Sequence, residues 1–199
     1  MNQIIIATKN RGKAKEFREF FSQRNIEALS LLDIKEQLPD VEETGNTFEE
    51  NASLKAEEIS RILNRAVLSD DSGLVIDALD GRPGIYSARY AGEQKNDEQN
   101  IQKVLHELKD ISEGQRNARF VCVLAIARPN GETKLVRGEC EGRITLSPSG
   151  ENGFGYDPVF IPDGYQQTMA ELESEEKNRI SHRSRAMDKL EDLIDTLFI

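Results

Sequence analysis

The stretch Ile4-Ile5-Ile6-Ala7-Thr8-Lys9-Asn10-Arg11-Gly12-Lys13 decides the fold class. Ile4 to Thr8 is a short apolar run led by β-branched residues, the kind that fills a buried strand. Thr8 to Lys13 is a polar loop with one glycine, after which Ala14, Phe17, Phe20 and Phe21 recur on one side of a helical pattern. Strand, polar Gly-Lys loop and helix, in that order, offer helix N-terminal N–H groups to an anion. The loop is not of the GxxxxGK[ST] type, because the spacing fails and Ala14 follows Lys13.

Further along, Pro39 to Gly45 is acidic and turn-rich. Asn46 or Thr47 can cap a helix running to about Asn64, with capping-box spacing from Thr47 to Glu50. The apolar stripe of that helix is Phe48, Ala52, Ile59 and Ile62; Lys55 falls in its middle and Asn51 at its edge. Ala66 to Ser69 reads as a second buried strand, ending at Asp70-Asp71-Ser72-Gly73 before Leu74-Val75-Ile76 resumes. A helix is predicted over Asp97 to Lys109, then strands over Arg119 to Ala127 and Thr133 to Leu146. Their Pro129-Asn130-Gly131 junction predicts an antiparallel hairpin. Gly150 to Asp157 is a glycine-rich loop, Val159 to Ile161 a short strand, and the tail a helix with Met187, Leu190, Ile194 and Leu197 on one face. Parallel and antiparallel cues coexist, so the class is α/β, a single domain over 1–199 that admits two lobes.

The 199 residues include 26 Lys+Arg and 36 Asp+Glu, a formal net charge of −10. With 31% charged and 37% hydrophobic residues, the composition is that of a soluble globular protein. A pI near 4.9 speaks against a general grip on nucleic-acid backbone, which needs dense Lys and Arg. With no Trp and four Tyr there is no platform for stacking many bases. Cys122 and Cys140, without CxxC spacing, read as buried thiols or incidental residues rather than a disulfide or a zinc site. His106 and His182 lie too far apart in the chain to suggest a zinc centre. The N-terminus has no basic leader region and no stretch approaches membrane-spanning length, so a cytoplasmic protein without nucleic-acid or membrane partners is expected.

Four segments carry candidate chemistry. Asp70-Asp71 at a strand end is where ligands bind in α/β sheets, and adjacent acids tolerate each other best around a divalent cation. The same four residues, Asp70 to Gly73, read equally well as a surface turn. Lys55 either snorkels to the surface or points its ammonium into a cleft holding an anion. Carboxylates, a lysine and an anion-binding loop together are the toolkit of Mg²⁺-assisted phosphate chemistry. Phe154, between Gly153 and Gly155, either lies against a planar ring or is a core residue in a tight turn. Ser181-His182-Arg183 opens the last helix, where Ser181 is a cap and cations at the positive helix end need a reason to be there.

Taken together, the ordered motifs resemble the inosine/xanthosine triphosphate pyrophosphatase family, which removes non-standard purine nucleotides. They are Thr8 to Lys13, Glu42 to Ala52, Lys55-Ala56, Ser69 to Leu74, Pro83 to Tyr90, Phe154 to Pro158 and Ser181 to Arg183, spanning nearly the whole chain. The resemblance implies a homodimer with an elongated, two-lobed α/β fold, a long central mixed sheet and an active-site cleft between the lobes. It implies Mg²⁺-dependent hydrolysis of the nucleoside triphosphates ITP, dITP and XTP to monophosphate and pyrophosphate. Thr8, Asn10, Lys13 and Lys55 would hold the triphosphate, and Ser72 would contact substrate. Asp71 would be general base and metal ligand, with Asp70 close by and Glu42 a further metal-site carboxylate, the choice between Glu42 and Glu43 being open. Phe154, Gly155, Tyr156, Asp157, Lys177, His182 and Arg183 would form the nucleoside pocket. The alternatives are a pyrophosphatase for pyrimidine or modified nucleotides and a catalytically silent nucleotide-binding protein.

Overall fold

The structure, a computed structural model, describes residues 2–36 and 38–197. Six strands form one sheet: β1 (Asn2–Ile6), β2 (Ile26–Ser30), β3 (Val67–Ile76), β4 (Asn117–Ala127), β5 (Lys134–Ile144) and β6 (Phe160–Pro162), in the order β2-β1-β3-β4-β5-β6. The helices are α1 (Arg11–Ser22), α2 (Phe48–Leu63), α3 (Asp97–Glu107), α4 (Ser174–Ile180) and α5 (His182–Leu197). β1 runs parallel to β2 and β3, and β6 antiparallel to β5, so the sheet is mixed as the sequence suggests. The parallel pairs follow from helical crossovers, α1 between β1 and β2 and α2 between β2 and β3. β2 escapes the sequence reading because its alternation is short, Ile26, Ala28 and Ser30 buried around Glu27 and Leu29.

The chain divides into two compact units, Met1–Asp71 with Val123–Arg137 and Ala186–Ile199, and Ser72–Cys122 with Gly138–Arg185. Each boundary before residue 186 therefore falls inside a strand, within β3, β4 or β5.

In the first unit Ile4, Ile5 and Ile6 are all buried, as are Ala14, Phe17 and Phe21 of α1. Phe20 is half-buried, with the Arg24 guanidinium 4.0 Å from its ring centroid. Thr47, not Asn46, caps α2: its Oγ1 accepts from Glu50 N (3.1 Å), while Glu50 Oε2 accepts from Asn46 N (2.6 Å). The buried stripe runs through Phe48, Ala52, Ala56 and Ile59 and leaves Ile62 39% exposed, a correction to the predicted stripe. The expected break at Asp70 to Gly73 does not occur. β3 is one continuous ten-residue strand, so its two aspartates are interior strand residues rather than strand-end or turn residues.

The core of the second unit gathers Leu74, Ile76, Val104, Leu108, Phe120 and Phe160. α3 ends at Glu107, and the buried Arg116 guanidinium donates to Leu108 O (2.7 Å) and Ile111 O (3.0 Å), just beyond the helix, and to Thr145 O (2.9 Å) after β5. Cys122 and Cys140 are both buried, as thiols. The tail helix begins as the short α4 and continues, after Ser181, as α5. Among the described residues no helix is long and apolar enough to cross a membrane.

Candidate active site

The loop after β1 is held by its own side chains. Asn10 N donates to Thr8 Oγ1 (3.1 Å), and Asn10 Oδ1 accepts from Lys13 N (3.1 Å), which makes Asn10 the N-cap of α1. Capping fixes the first helical turn, and Lys13 Nζ comes to lie 2.5 Å from Asp70 Oδ2. Lys55 reaches the same aspartate from α2, its Nζ 3.4 Å from Asp70 O and 2.6 Å from Glu43 Oε1. Its side chain is 19% exposed, so it does not snorkel to the surface. Burial works against the Lys55 charge, but the Glu43 hydrogen bond and the charges of Glu43, Asp70 and Asp71 outweigh it and raise its pKa.

Asp71 is buried next to Asp70 in β3. Burial, and then the Glu43 charge, push its carboxyl up to about 6 against the opposing pull of the Lys55 charge and of the nearby Asn51 amide. Asn51 itself is buried, and its Oδ1 accepts from Gly45 N (2.8 Å), tying the acidic loop to α2. The sequence places Asn51 only at the edge of the stripe, and a buried amide on an otherwise apolar face is the signal that identifies it.

Of the adjacent glutamates it is Glu43 that pairs with Lys55, while Glu42 is exposed. Burial alternates residue by residue from Val41 to Asn46, so neighbours in this run turn opposite ways.

A cavity of about 570 Å³ in the first unit is lined by Thr8, Lys9, Lys13, Asp40, Lys55 and Asp70, among others. Asp71 is not in its lining, in keeping with the opposite facing of successive strand residues. Ser72, the next residue, is half-buried.

In the second unit Gly153 (φ +79°) and Gly155 (φ +60°) flank Phe154, which is 56% exposed and so is not a core residue. The Lys177 ammonium lies 4.9 Å from the Phe154 ring centroid. Buried Asp157 accepts from Phe154 N (2.9 Å) and from Lys177 Nζ (2.5 Å) through the same oxygen, Oδ2. A Cβ on Gly153 would stand 2.1 Å from that oxygen and 2.9 Å from Lys177 Nζ. Gly153→Ala should therefore destabilise the protein by about 2 kcal/mol, combining a disfavoured positive φ with a lost or displaced Asp157 contact. An unchanged urea midpoint would refute that.

The Tyr156 ring joins the core and its hydroxyl donates to Ser87 O (2.7 Å), so the side chain anchors the loop. Ser181 Oγ accepts from Ser184 N (3.1 Å) and so caps α5. The His182 ring stacks on Phe120 at 5.1 Å, and Arg183 is buried.

The Ham1 family model matches residues 4–193. The chain belongs to the Ham1 family. A dITP/XTP pyrophosphatase of Oceanobacillus iheyensis is 61% identical to it over 197 residues, 99% of this chain and 100% of that protein. One from Bacillus anthracis is 54% identical over 201 residues, 100% and 99% of the two chains. The Staphylococcus aureus Ham1 protein matches in structure with a TM-score of 0.91 at 45% identity, covering 98% of this chain and 99% of that one. The Coxiella burnetii HAM1 protein gives 0.92 at 39% identity, covering 98% and 100%.

The donor set in this Ham1 chain fits Mg²⁺. Glu43, Asp70 and Asp71 offer hard carboxylate oxygens, and the elevated Asp71 carboxyl shows that its negative charge is under-compensated where it stands. Among the described residues no group of three or more His, Cys, Asp or Glu side chains is assembled to hold a metal ion. Mg²⁺ does not require one, since it is commonly held by one or two carboxylates plus water and phosphate oxygens.

Proposed function

We propose that the protein hydrolyses the non-standard purine nucleotides dITP, ITP and XTP to the monophosphate and pyrophosphate, by attack of water on the α-phosphorus. One observation carries this proposal. Lys13 and Lys55 bring two ammonium groups to one buried aspartate, Asp70, at the wall of a cavity large enough for a small ligand. The full-length identity to dITP/XTP pyrophosphatases of other bacteria supports the substrate class.

Thr8, Asn10, Lys13 and Lys55 bind the triphosphate, and the two lysines neutralise the charge that develops on departing pyrophosphate. Asp71 takes the proton from the attacking water. A carboxyl near 6 is ionised at neutral pH yet more basic than an ordinary aspartate, which suits a general base. Ser72 contacts substrate beside it. Asp71 and Asp70, with Glu42 or its neighbour Glu43, would hold Mg²⁺, which would supply further positive charge to the polyphosphate. Phe154 offers its exposed ring to the base, with Gly155, Asp157 and Lys177 shaping the loop around it. His182 or Arg183 donates to the purine 6-carbonyl, whereas adenine would present a donor to a donor and leave both unpaired. The protein acts on free nucleotides in the cytoplasm, as a homodimer.

Pyrophosphate release measured across dITP, ITP, XTP, ATP, GTP and the pyrimidine triphosphates tests this. A kcat/KM for dITP about a hundredfold above that for ATP is expected from the mismatched donor pair. Faster turnover of a pyrimidine nucleotide, or binding of dITP without product, would overturn it. Hydrolysis in ¹⁸O-water should label the monophosphate, and label in the pyrophosphate would move the attack to the β-phosphorus.

A further inference from the structure

The loop from Gly153 to Asp157 presents Phe154 to solvent through two glycines with positive φ, and within it the backbone makes the turn bond from Asp157 N to Phe154 O (3.3 Å). Three side chains hold it as well. Asp157 fixes the Phe154 end and Tyr156 roots the middle in the core. The third clamp comes from α3, far away in sequence: Asp97 Oδ2 accepts from Gly155 N at 2.7 Å.

Asp97 is the first helical residue of α3, and the helix already has its cap in Asn96, whose Oδ1 accepts from Gln99 N (2.9 Å). The Asp97 carboxylate is therefore not needed to cap its own helix and is directed at another segment. The same helix grips a second segment through buried Asn100, which accepts from Ala91 N (2.7 Å) and donates to Ala88 O (3.1 Å). Tyr156 donates into that second segment, at Ser87 O. Asp97, Asn100 and Tyr156 thus lock α3, the segment 87–91 and the Phe154 loop into one framework.

We infer that Asp97 is a positioning residue for nucleoside recognition, setting the Phe154 ring through the Gly155 N–H. This rests on the proposal that Phe154 meets the base. Without the Asp97 acceptor, Gly155 is free to leave its left-handed conformation, and Phe154 loses the fixed orientation that makes stacking cheap in entropy.

The test uses the full chain and the variants Asp97→Ala, Asp97→Asn, Phe154→Ala and the double variant Asp97→Ala/Phe154→Ala. Asn keeps an acceptor for Gly155 N, whereas both single changes at 97 remove the same favourable charge from the start of α3 and should lower Tm alike. Asp97→Ala should raise KM for dITP about tenfold with kcat within about twofold, and Asp97→Asn should restore most of that loss. In the double variant the KM effects should fall well short of multiplying, because both changes act on one ring. Amide exchange by NMR reads the clamp without substrate: Gly155 N–H should exchange faster in Asp97→Ala and near the wild-type rate in Asp97→Asn. Unchanged exchange in Asp97→Ala overturns the inference, as does a KM that moves equally for Ala and Asn. If Phe154→Ala leaves KM unchanged, the role of Phe154 in base binding fails. The positioning role of Asp97 then fails with it, even where exchange shows the clamp to be real.

Discussion

Asp71→Asn should lower kcat for dITP by about 10³-fold while making the protein more stable at neutral pH. The two effects share one cause. In the unfolded chain the Asp71 carboxyl loses its proton near its ordinary value of 3.8, whereas in the folded chain it keeps it up to about 6. Between these values the folded state holds the extra proton, so its stability falls as pH rises through the window, and the whole penalty persists above it. About two pKa units correspond to about 3 kcal/mol, which an uncharged Asn would return at pH 8 and progressively less of below pH 6. Urea unfolding of wild type and variant in the presence of a chelator, at pH 4.5 and pH 8, measures the difference. An Asn variant no more stable at pH 8 than at pH 4.5, relative to wild type, would contradict the burial of an uncompensated charge. Normal turnover by that variant would remove Asp71 from the reaction. In the wild type, the same carboxyl should set the acid limb of kcat/KM, and Mg²⁺ beside it should place that limb below the metal-free value of about 6.

The second large effect is expected at Lys55. Lys55→Ala should reduce kcat/KM for dITP by about 10²- to 10³-fold, the scale of losing one preorganised charge at a developing anion. It should also move the acid limb of the surviving activity upward. Lys55 is the largest influence lowering the Asp71 carboxyl, so its removal leaves the charges of Glu43 and Asp70 and the burial unopposed by it. A pH profile of the variant checks the direction, and a limb that moves down or stays fixed would show that Lys55 and Asp71 do not share an environment. Lys13→Ala should move the limb less, since Lys13 is paired with Asp70 and Lys55 is the largest of the influences lowering Asp71.

What the sequence determined by itself is local. A β-branched run followed by a polar loop and a helical stripe makes β1 and α1, and Asn10 and Thr47 cap because their side chains meet N–H groups only three residues ahead. Ser181 before α5 obeys the same rule. The order of the motifs was likewise enough to point to the family. The tertiary structure decided what depends on partners far away in the chain. Asp70-Asp71-Ser72-Gly73 has turn chemistry, yet it lies inside β3. There Lys13, 57 residues earlier, pairs with Asp70, and Lys55, from α2, offsets part of the negative charge on both aspartates. Glu43 rather than Glu42 faces Lys55 for the same kind of reason, as does the choice of Phe154 for solvent and Tyr156 for the core. Asp97 is the plainest case: nothing in its neighbourhood marks it, because the group it serves is Gly155, 58 residues away, and only the folded chain brings carboxylate and amide together. Propensity and periodicity act over a few residues, while the compensation of a buried charge or the clamping of a loop is settled by whichever distant side chain packing delivers.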